Sequence, residues 1–138
     1  EMNDLLLLVP FMLKDPKTRR LTHDTHHTFI HSCQTHFRFV IEACDVARAS
    51  CWINYGTLLG SVRGGGHIPW EDDIDFGYLL EDRMRIQAAM HQLISQRKLT
   101  FLMSANRVDG FWWVQLSQHN TAKAELWPFI GVRGDQDR

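Results

Sequence analysis

Trp52-Ile53-Asn54-Tyr55-Gly56-Thr57-Leu58-Leu59-Gly60-Ser61-Val62-Arg63-Gly64-Gly65-Gly66-His67-Ile68-Pro69-Trp70-Glu71-Asp72-Asp73-Ile74-Asp75-Phe76-Gly77-Tyr78 is the stretch that decides how this chain is read. Its first half is a glycine-rich turn carrying two hydroxyls and an arginine. Its second half places four acids in five positions, residues 71–75. Asp73 to Tyr78 alternates acid or glycine with apolar residues, the period-two pattern of a strand. Asp73, Asp75 and Gly77 therefore share one face, and Ile74, Phe76 and Tyr78 the other.

Working outward, Cys51 to Tyr55 reads as a short strand stopped by Gly56. Thr57 to Arg63 fits a short helix that the three glycines at 64–66 must end, since glycine disfavours a helix by about 1 kcal/mol per residue. Upstream, from Thr22 or Thr25 to about Ser50, apolar residues recur at steps of three and four (Phe29, Ile30, Cys33, Phe37, Val40, Ile41, Cys44, Ala47), an amphipathic helix. Downstream, Glu81 to Arg97 is a second helix, with Met84, Ala88, Leu93 and Ile94 toward a core. Strands are expected over 99–104, 111–117 and 121–127, with Asp109-Gly110 turning the first pair and His119-Asn120 joining the second. The fold class is α+β, a mixed β-sheet flanked by helices.

With 138 residues, 44% hydrophobic and 22% charged, the chain has the size and composition of one globular domain. Residues 1–21 read as an N-terminal lead-in segment and 22–138 as the domain, with the soft polar ending fitting a piece of a longer protein. A net charge of −1 leaves no basic footprint for nucleic acid. No run of about 18 apolar residues is present to form a membrane span. The three cysteines (33, 44, 51) read as buried free thiols, with one disulfide possible in an oxidising compartment. His23, His27 and His31, with His26 and His36 nearby, read as an exposed polar helix face. Trp112 and Trp113 read as core or sheet-face packing, with stacking on a base or sugar the alternative.

Two carboxylates at i and i+2 on a strand lie about 6–7 Å apart at the backbone. Side chains at that spacing converge on one ion or bridge two, and hard oxygen ligands describe magnesium or manganese. Buried like charges without a cation are costly. Gly56 allows close approach of a ligand, and the N–H groups opening the next helix suit a phosphate. Thr57 and Ser61 add hydroxyls, and Arg63 a bidentate fork. Phosphate-binding and cation-binding halves side by side point to transfer of a phosphate-containing group.

Gly60-Ser61, eleven residues, then Asp73-Ile74-Asp75 resembles the signature of the DNA polymerase β-like nucleotidyltransferase superfamily. The run from Tyr55 to Gly77 is similar to the LicD/fukutin family within it, over roughly residues 25–130. The resemblance implies a nucleotidyltransferase-like fold and a third acid on a later strand, usually an aspartate in an Asp-h-Phe-Pro context. Glu125, in Glu125-Leu126-Trp127-Pro128, stands at that place, and Glu71 replaces the first acid of the usual triple. It further implies transfer of a phospho-alcohol, phosphocholine or alditol phosphate such as ribitol phosphate, from a CDP-activated donor to a glycan hydroxyl. On that reading Asp73, Asp75 and Glu125 are catalytic, and Asp72, Asp73 and Asp75 hold Mg2+ or Mn2+. Gly56, Thr57, Gly60, Ser61, Arg63 and Trp70 line the substrate. Eukaryotic relatives work in the Golgi lumen and bacterial ones in the cytoplasm, and no residue here chooses between them. Two other readings remain: a nucleotide-sugar glycosyltransferase with an Asp-x-Asp metal site, and a catalytically silent LicD-like binding domain.

Overall fold

The computed structural model describes residues 23–68, 71, 73–104, 109–116 and 122–131. The lead-in segment, Pro69, Trp70, Asp72 and the His119-Asn120 turn lie outside them. Helix α1 (His23–Ala47) precedes strand β1 (Cys51–Ile53), helix α2 (Tyr55–Gly64) and strand β2 (Asp73–Leu79). A 3-10 turn (Leu80–Asp82) then leads into helix α3 (Arg83–Arg97), followed by strands β3 (Phe101–Ser104), β4 (Trp112–Leu116) and β5 (Lys123–Phe129). The five strands form one mixed sheet in the order β1-β2-β5-β4-β3. β2 and β5 run parallel at its centre, and the other three pairings are antiparallel. The expected α+β class is the one observed.

Register divides the sheet into two faces. Ile74, Phe76 and Tyr78 of β2 are buried together with Ala124 and Leu126 of β5 and Trp112 and Val114 of β4. α1 closes this side with Cys33, Phe39, Val40, Ala43 and Cys44, and Phe37 packs on Phe76 with ring centroids 5.4 Å apart. α3 adds Ile86, Ala89, Met90 and Leu93, and its Arg97 pairs through both guanidinium nitrogens with Glu42 of α1. Half of the expected α3 stripe is buried, Leu93 in the core and Ile94 packed against it, but Met84 is 74% exposed and Ala88 is also on the outside. Ile86, Ala89, Met90 and Leu93 repeat at the same helical spacing and bury more apolar surface, so that face turns inward.

Two further expectations are corrected. Cys44 and Cys51 form a disulfide across a Cα–Cα distance of 6.2 Å, leaving Cys33 as a buried thiol outside it. The reversal that joins them is local: Arg48 adopts a left-handed backbone (φ 50°) and Ala49 N–H donates to Cys44 C=O, folding β1 back beside the end of α1. His36 is fully buried rather than part of a polar face, its Nδ1 2.6 Å from Ser32 C=O; the side chain sits on the inner side of α1, one turn from Cys33 and Val40. Asp109-Gly110 turns the chain between β3 and β4 as expected, Gly110 with a φ of 84°, and the register pairs Ser104 with Trp113.

Candidate active site

The face opposite the core carries the polar residues. Parallel register sets Asp73 beside Lys123, Asp75 beside Glu125 and Gly77 beside Trp127. Antiparallel register continues these rows onto β4, with Gln115 beside Lys123 and Trp113 beside Glu125. Since paired residues on neighbouring strands point to the same side, two acids of β2 and one of β5 share a face with one lysine and two tryptophans.

Asp75 is the centre of this arrangement. Its Oδ2 accepts the Gly56 N–H at 3.1 Å and its Oδ1 accepts the indole N–H of Trp127 at 3.1 Å. The Asp75 backbone N–H donates to the Thr57 hydroxyl at 2.8 Å, and the Asn54 N–H donates to Asp75 C=O at 3.0 Å. The start of α2 is thereby fastened to β2. Burial pushes the Asp75 carboxyl above the usual carboxylate range. The Trp127 hydrogen bond pulls it back, the nearby Glu125 charge adds to the push, and the backbone N–H groups of Gly56 and Thr57 pull against it. The amides expected to greet a phosphate are thus turned to this carboxylate, which sits at the positive end of the α2 dipole.

Glycine at 56 and 60 serves close approach. A Cβ on Gly56 would stand 3.4 Å from Asp75 Oδ2 and 3.5 Å from the Glu71 carboxyl carbon, so both acids lie over this residue. A Cβ on Gly60 would stand 2.4 Å from Gly66 C=O and 3.0 Å from Ile68. Only glycine lets α2 pack on the loop that leads to the acids, so Gly60 shapes that loop. The Ser61 hydroxyl donates back to Leu58 C=O at 3.1 Å, a common helix back-bond. Arg63 is exposed in the last turn of α2, about 10 Å along the helix axis from Gly56. Gly65 ends the helix with φ 70°, the left-handed cap that favours glycine. Asp72 and Trp70 fall outside the described residues.

Glu125 is 9% exposed, and its Oε1 lies 2.5 Å from the Lys123 ammonium. Among the described residues no three carboxylate, imidazole or thiolate groups form a ready-made cation cage. The donor set nevertheless suits a hard divalent ion: carboxylates of Asp73, Asp75 and Glu125 share one face, and the Asp75 carboxylate is oriented by the N–H groups of Gly56 and Trp127. Such an ion would complete its shell with water and substrate oxygens.

An aromatic wall closes one end of the site. Trp127 meets Tyr55 with centroids 5.0 Å apart and Phe111 at 4.5 Å, while Trp52 lies over Gly77, whose Cβ would stand 2.2 Å from its Nε1. Tyr55 is 55% exposed and carries a φ of 38° at the first residue of α2, strain of the kind that gathers at functional sites. Lys123 and Trp127 did not stand out in the sequence as site residues, and stepping by two from Glu125 along its strand would have found both. Glu71 reads in the sequence only as the first acid of the run, and its place over Gly56 comes from the fold.

The chain is similar to several known proteins. The LicD/FKTN/FKRP nucleotidyltransferase-domain profile matches residues 48–138. The mouse and human proteins named ribitol 5-phosphate transferase FKRP are each 33% identical over 102 residues, 70% of this chain and 20% of theirs. An uncharacterized protein of Rickettsia prowazekii is 49% identical over 41 residues, 30% of this chain and 15% of its own. Among solved structures, the antibiotic-resistance factor ANT(2'')-Ia aligns with a TM-score of 0.48 at 18% identity, over 71% of this chain and 47% of that one. The chain spans about a fifth of the length of the FKRP proteins it matches. It belongs to the LicD/FKTN/FKRP nucleotidyltransferase-domain family.

Proposed function

We propose that this domain carries the catalytic face of a metal-dependent transferase, which moves a phospho-alcohol from a CDP-activated donor to a hydroxyl of a glycan. The observation that carries the reading is the in-register pair Asp75 and Glu125, two buried carboxylates on adjacent parallel strands with the start of α2 fastened to one of them. Holding two like charges together under burial opposes stability, and sites that retain such a cost are functional-site candidates.

Asp73 and Asp75, with Asp72, would hold Mg2+ or Mn2+, which supplies charge neutralisation at the donor pyrophosphate. The protein's own part is positioning. The α2 N-terminus and Trp127 fix the Asp75 carboxylate in one orientation. Glu125 stands on the same face to orient the attacking hydroxyl and accept its proton. Lys123 adds a positive charge beside the place where donor phosphate oxygens arrive, and Arg63 contributes if the donor reaches the end of α2. The hydroxyl oxygen forms the new bond to phosphorus, the bond to the CMP oxygen breaks, and CMP leaves. As in other phosphoryl transfers, alignment and electrostatics supply most of the rate.

One observation favours a second reading, a silent binding domain: Lys123 already neutralises Glu125, and the indole of Trp127 already occupies an Asp75 oxygen. A screen of CDP-ribitol, CDP-glycerol and CDP-choline for CMP release, with Mg2+ and with chelator, decides between the two. Mg2+-dependent release from any one of them supports the transferase. Binding of a CDP-alcohol with no release supports the silent domain.

A further inference from the structure

We infer that the β4–β3 half of the site face is a sugar-binding platform, with Trp113 as the surface on which one pyranose ring of an acceptor stacks. The placement follows from strand alternation. Trp112 is fully buried in the core, so its neighbour Trp113 must project to the other face, where it is half-buried. There the register sets it directly across from Glu125 on one side and Ser104 on the other. Opposed residues of an antiparallel pair lie about 4.5–5.5 Å apart at Cα. A ring lying on the indole thus brings its hydroxyls within reach of the Glu125 carboxylate.

The chemistry of this half separates it from the other. β2 and β5 bring Asp73, Asp75, Lys123 and Glu125, all charged. β4 and β3 bring Trp113, Gln115, Ser104 and Leu102 on the same face, all neutral. An anionic nucleotide fits the charged half, where a cation and Lys123 can meet its phosphates. A neutral sugar fits the other, with an aromatic plane for its C–H bonds and an amide and a hydroxyl for its oxygens. The surface is open at this end, since Leu102 is 51% exposed. A tryptophan left partly exposed on an open face, beside a buried carboxylate, presents flat apolar area at low entropic cost.

This inference deepens the transferase reading, because an acceptor subsite has a purpose only beside a group-transfer centre. Its test is direct binding, which needs no turnover. Saturation-transfer NMR would be recorded with methyl β-D-galactopyranoside, whose C3–H, C4–H and C5–H bonds form one apolar patch, and with methyl β-D-glucopyranoside. Wild type, Trp113→Phe and Trp113→Leu would be compared, with circular dichroism verifying that each is folded. The expected result is saturation of ring C–H protons by wild type, affinity about tenfold weaker in Trp113→Leu, and most of it restored in Trp113→Phe. Absence of saturation with both glycosides, or equal affinity in Trp113→Leu, overturns the platform. If Trp113→Leu does not fold, Gln115→Ala replaces it, with the same two outcomes. CMP release by wild type is measured separately: sugar binding without release sinks the transferase reading and leaves the platform standing, and release without sugar binding does the reverse.

Discussion

The Lys123 ammonium lies 2.5 Å from Glu125 Oε1, two residues apart on one strand and on one face of the sheet. The Glu125 side chain is mostly buried and the Lys123 side chain about a third exposed, so the lysine can exchange its partner for an incoming anion while Glu125 stays fixed. Lys123→Met is therefore expected to raise the KM for the CDP-donor about tenfold with a smaller change in kcat. Steady-state kinetics of CMP release would show this, and a kcat loss at constant KM would move Lys123 from donor binding to the chemical step.

Glu125→Gln retains the shape of the side chain and removes its basicity. Loss of general-base help typically costs two to four orders of magnitude, so turnover should fall at least about a hundredfold at unchanged melting temperature. Activity within threefold of wild type, at about pH 7, would exclude Glu125 as the proton acceptor.

Asp75→Asn presents a different balance. Its amide group would face either the Gly56 N–H or the Trp127 N–H, both donors, so one hydrogen bond worth about 1 kcal/mol is lost. Burial no longer opposes a charge, which offsets part of that loss. The variant is expected to be folded, with a melting temperature close to wild type, and without CMP release; Asp73→Asn should also be inactive. Calorimetry with the CMP assay checks both, and turnover in either variant would remove that acid from the metal site.

Gly60→Ala tests whether this glycine is a packing residue. Its Cβ would sit 2.4 Å from Gly66 C=O, an overlap with backbone that cannot be relieved by a rotamer. A destabilisation of about 1–3 kcal/mol is expected from overpacking, read by urea denaturation. Gly64→Ala is its control, since no atom lies within 4 Å of the added Cβ.

His36 gives the fold a pH dependence. Burial lowers its pKa, against the pull of the Ser32 carbonyl, so the folded state keeps it neutral while the unfolded chain takes up a proton near pH 6.5. The unfolded state then binds more protons as pH falls, and stability present above about pH 6.5 is lost below it, by up to about 1.4 kcal/mol per pH unit. Denaturation midpoints between about pH 7.5 and 5.5 should fall for wild type and show a shallower slope for His36→Met. Equal slopes would place the titration elsewhere.

The Cys44–Cys51 disulfide closes a loop of eight residues, worth about 2.5 kcal/mol on the loop-entropy account. Removing it by Cys44→Ala with Cys51→Ala should lower the melting temperature by several degrees. Reductant should shift wild type equally and leave the double variant unmoved. A disulfide of this kind persists in an oxidising compartment.

Much of this molecule was legible in residues alone, where the interaction is local. The alternation in Asp73-Ile74-Asp75-Phe76-Gly77-Tyr78 fixes which side chains face the core, because a strand's period is two. Three glycines end α2 because glycine weakens helix and caps it. The stripe through Cys33, Val40 and Cys44 makes α1 amphipathic. What tertiary structure decided is everything that depends on which distant segments become neighbours. Parallel pairing of β2 with β5, 50 residues away in register, brought Glu125, Lys123 and Trp127 to Asp75, and the pairing of β4 with β5 brought Trp113 beside them. The turn at Arg48 decided that Cys44 meets Cys51, and the seating of α2 decided that the Gly56 amide serves a carboxylate. Spacing along a chain constrains only neighbours a few residues apart; long-range register is set by burying one continuous apolar face, a property of all the strands together.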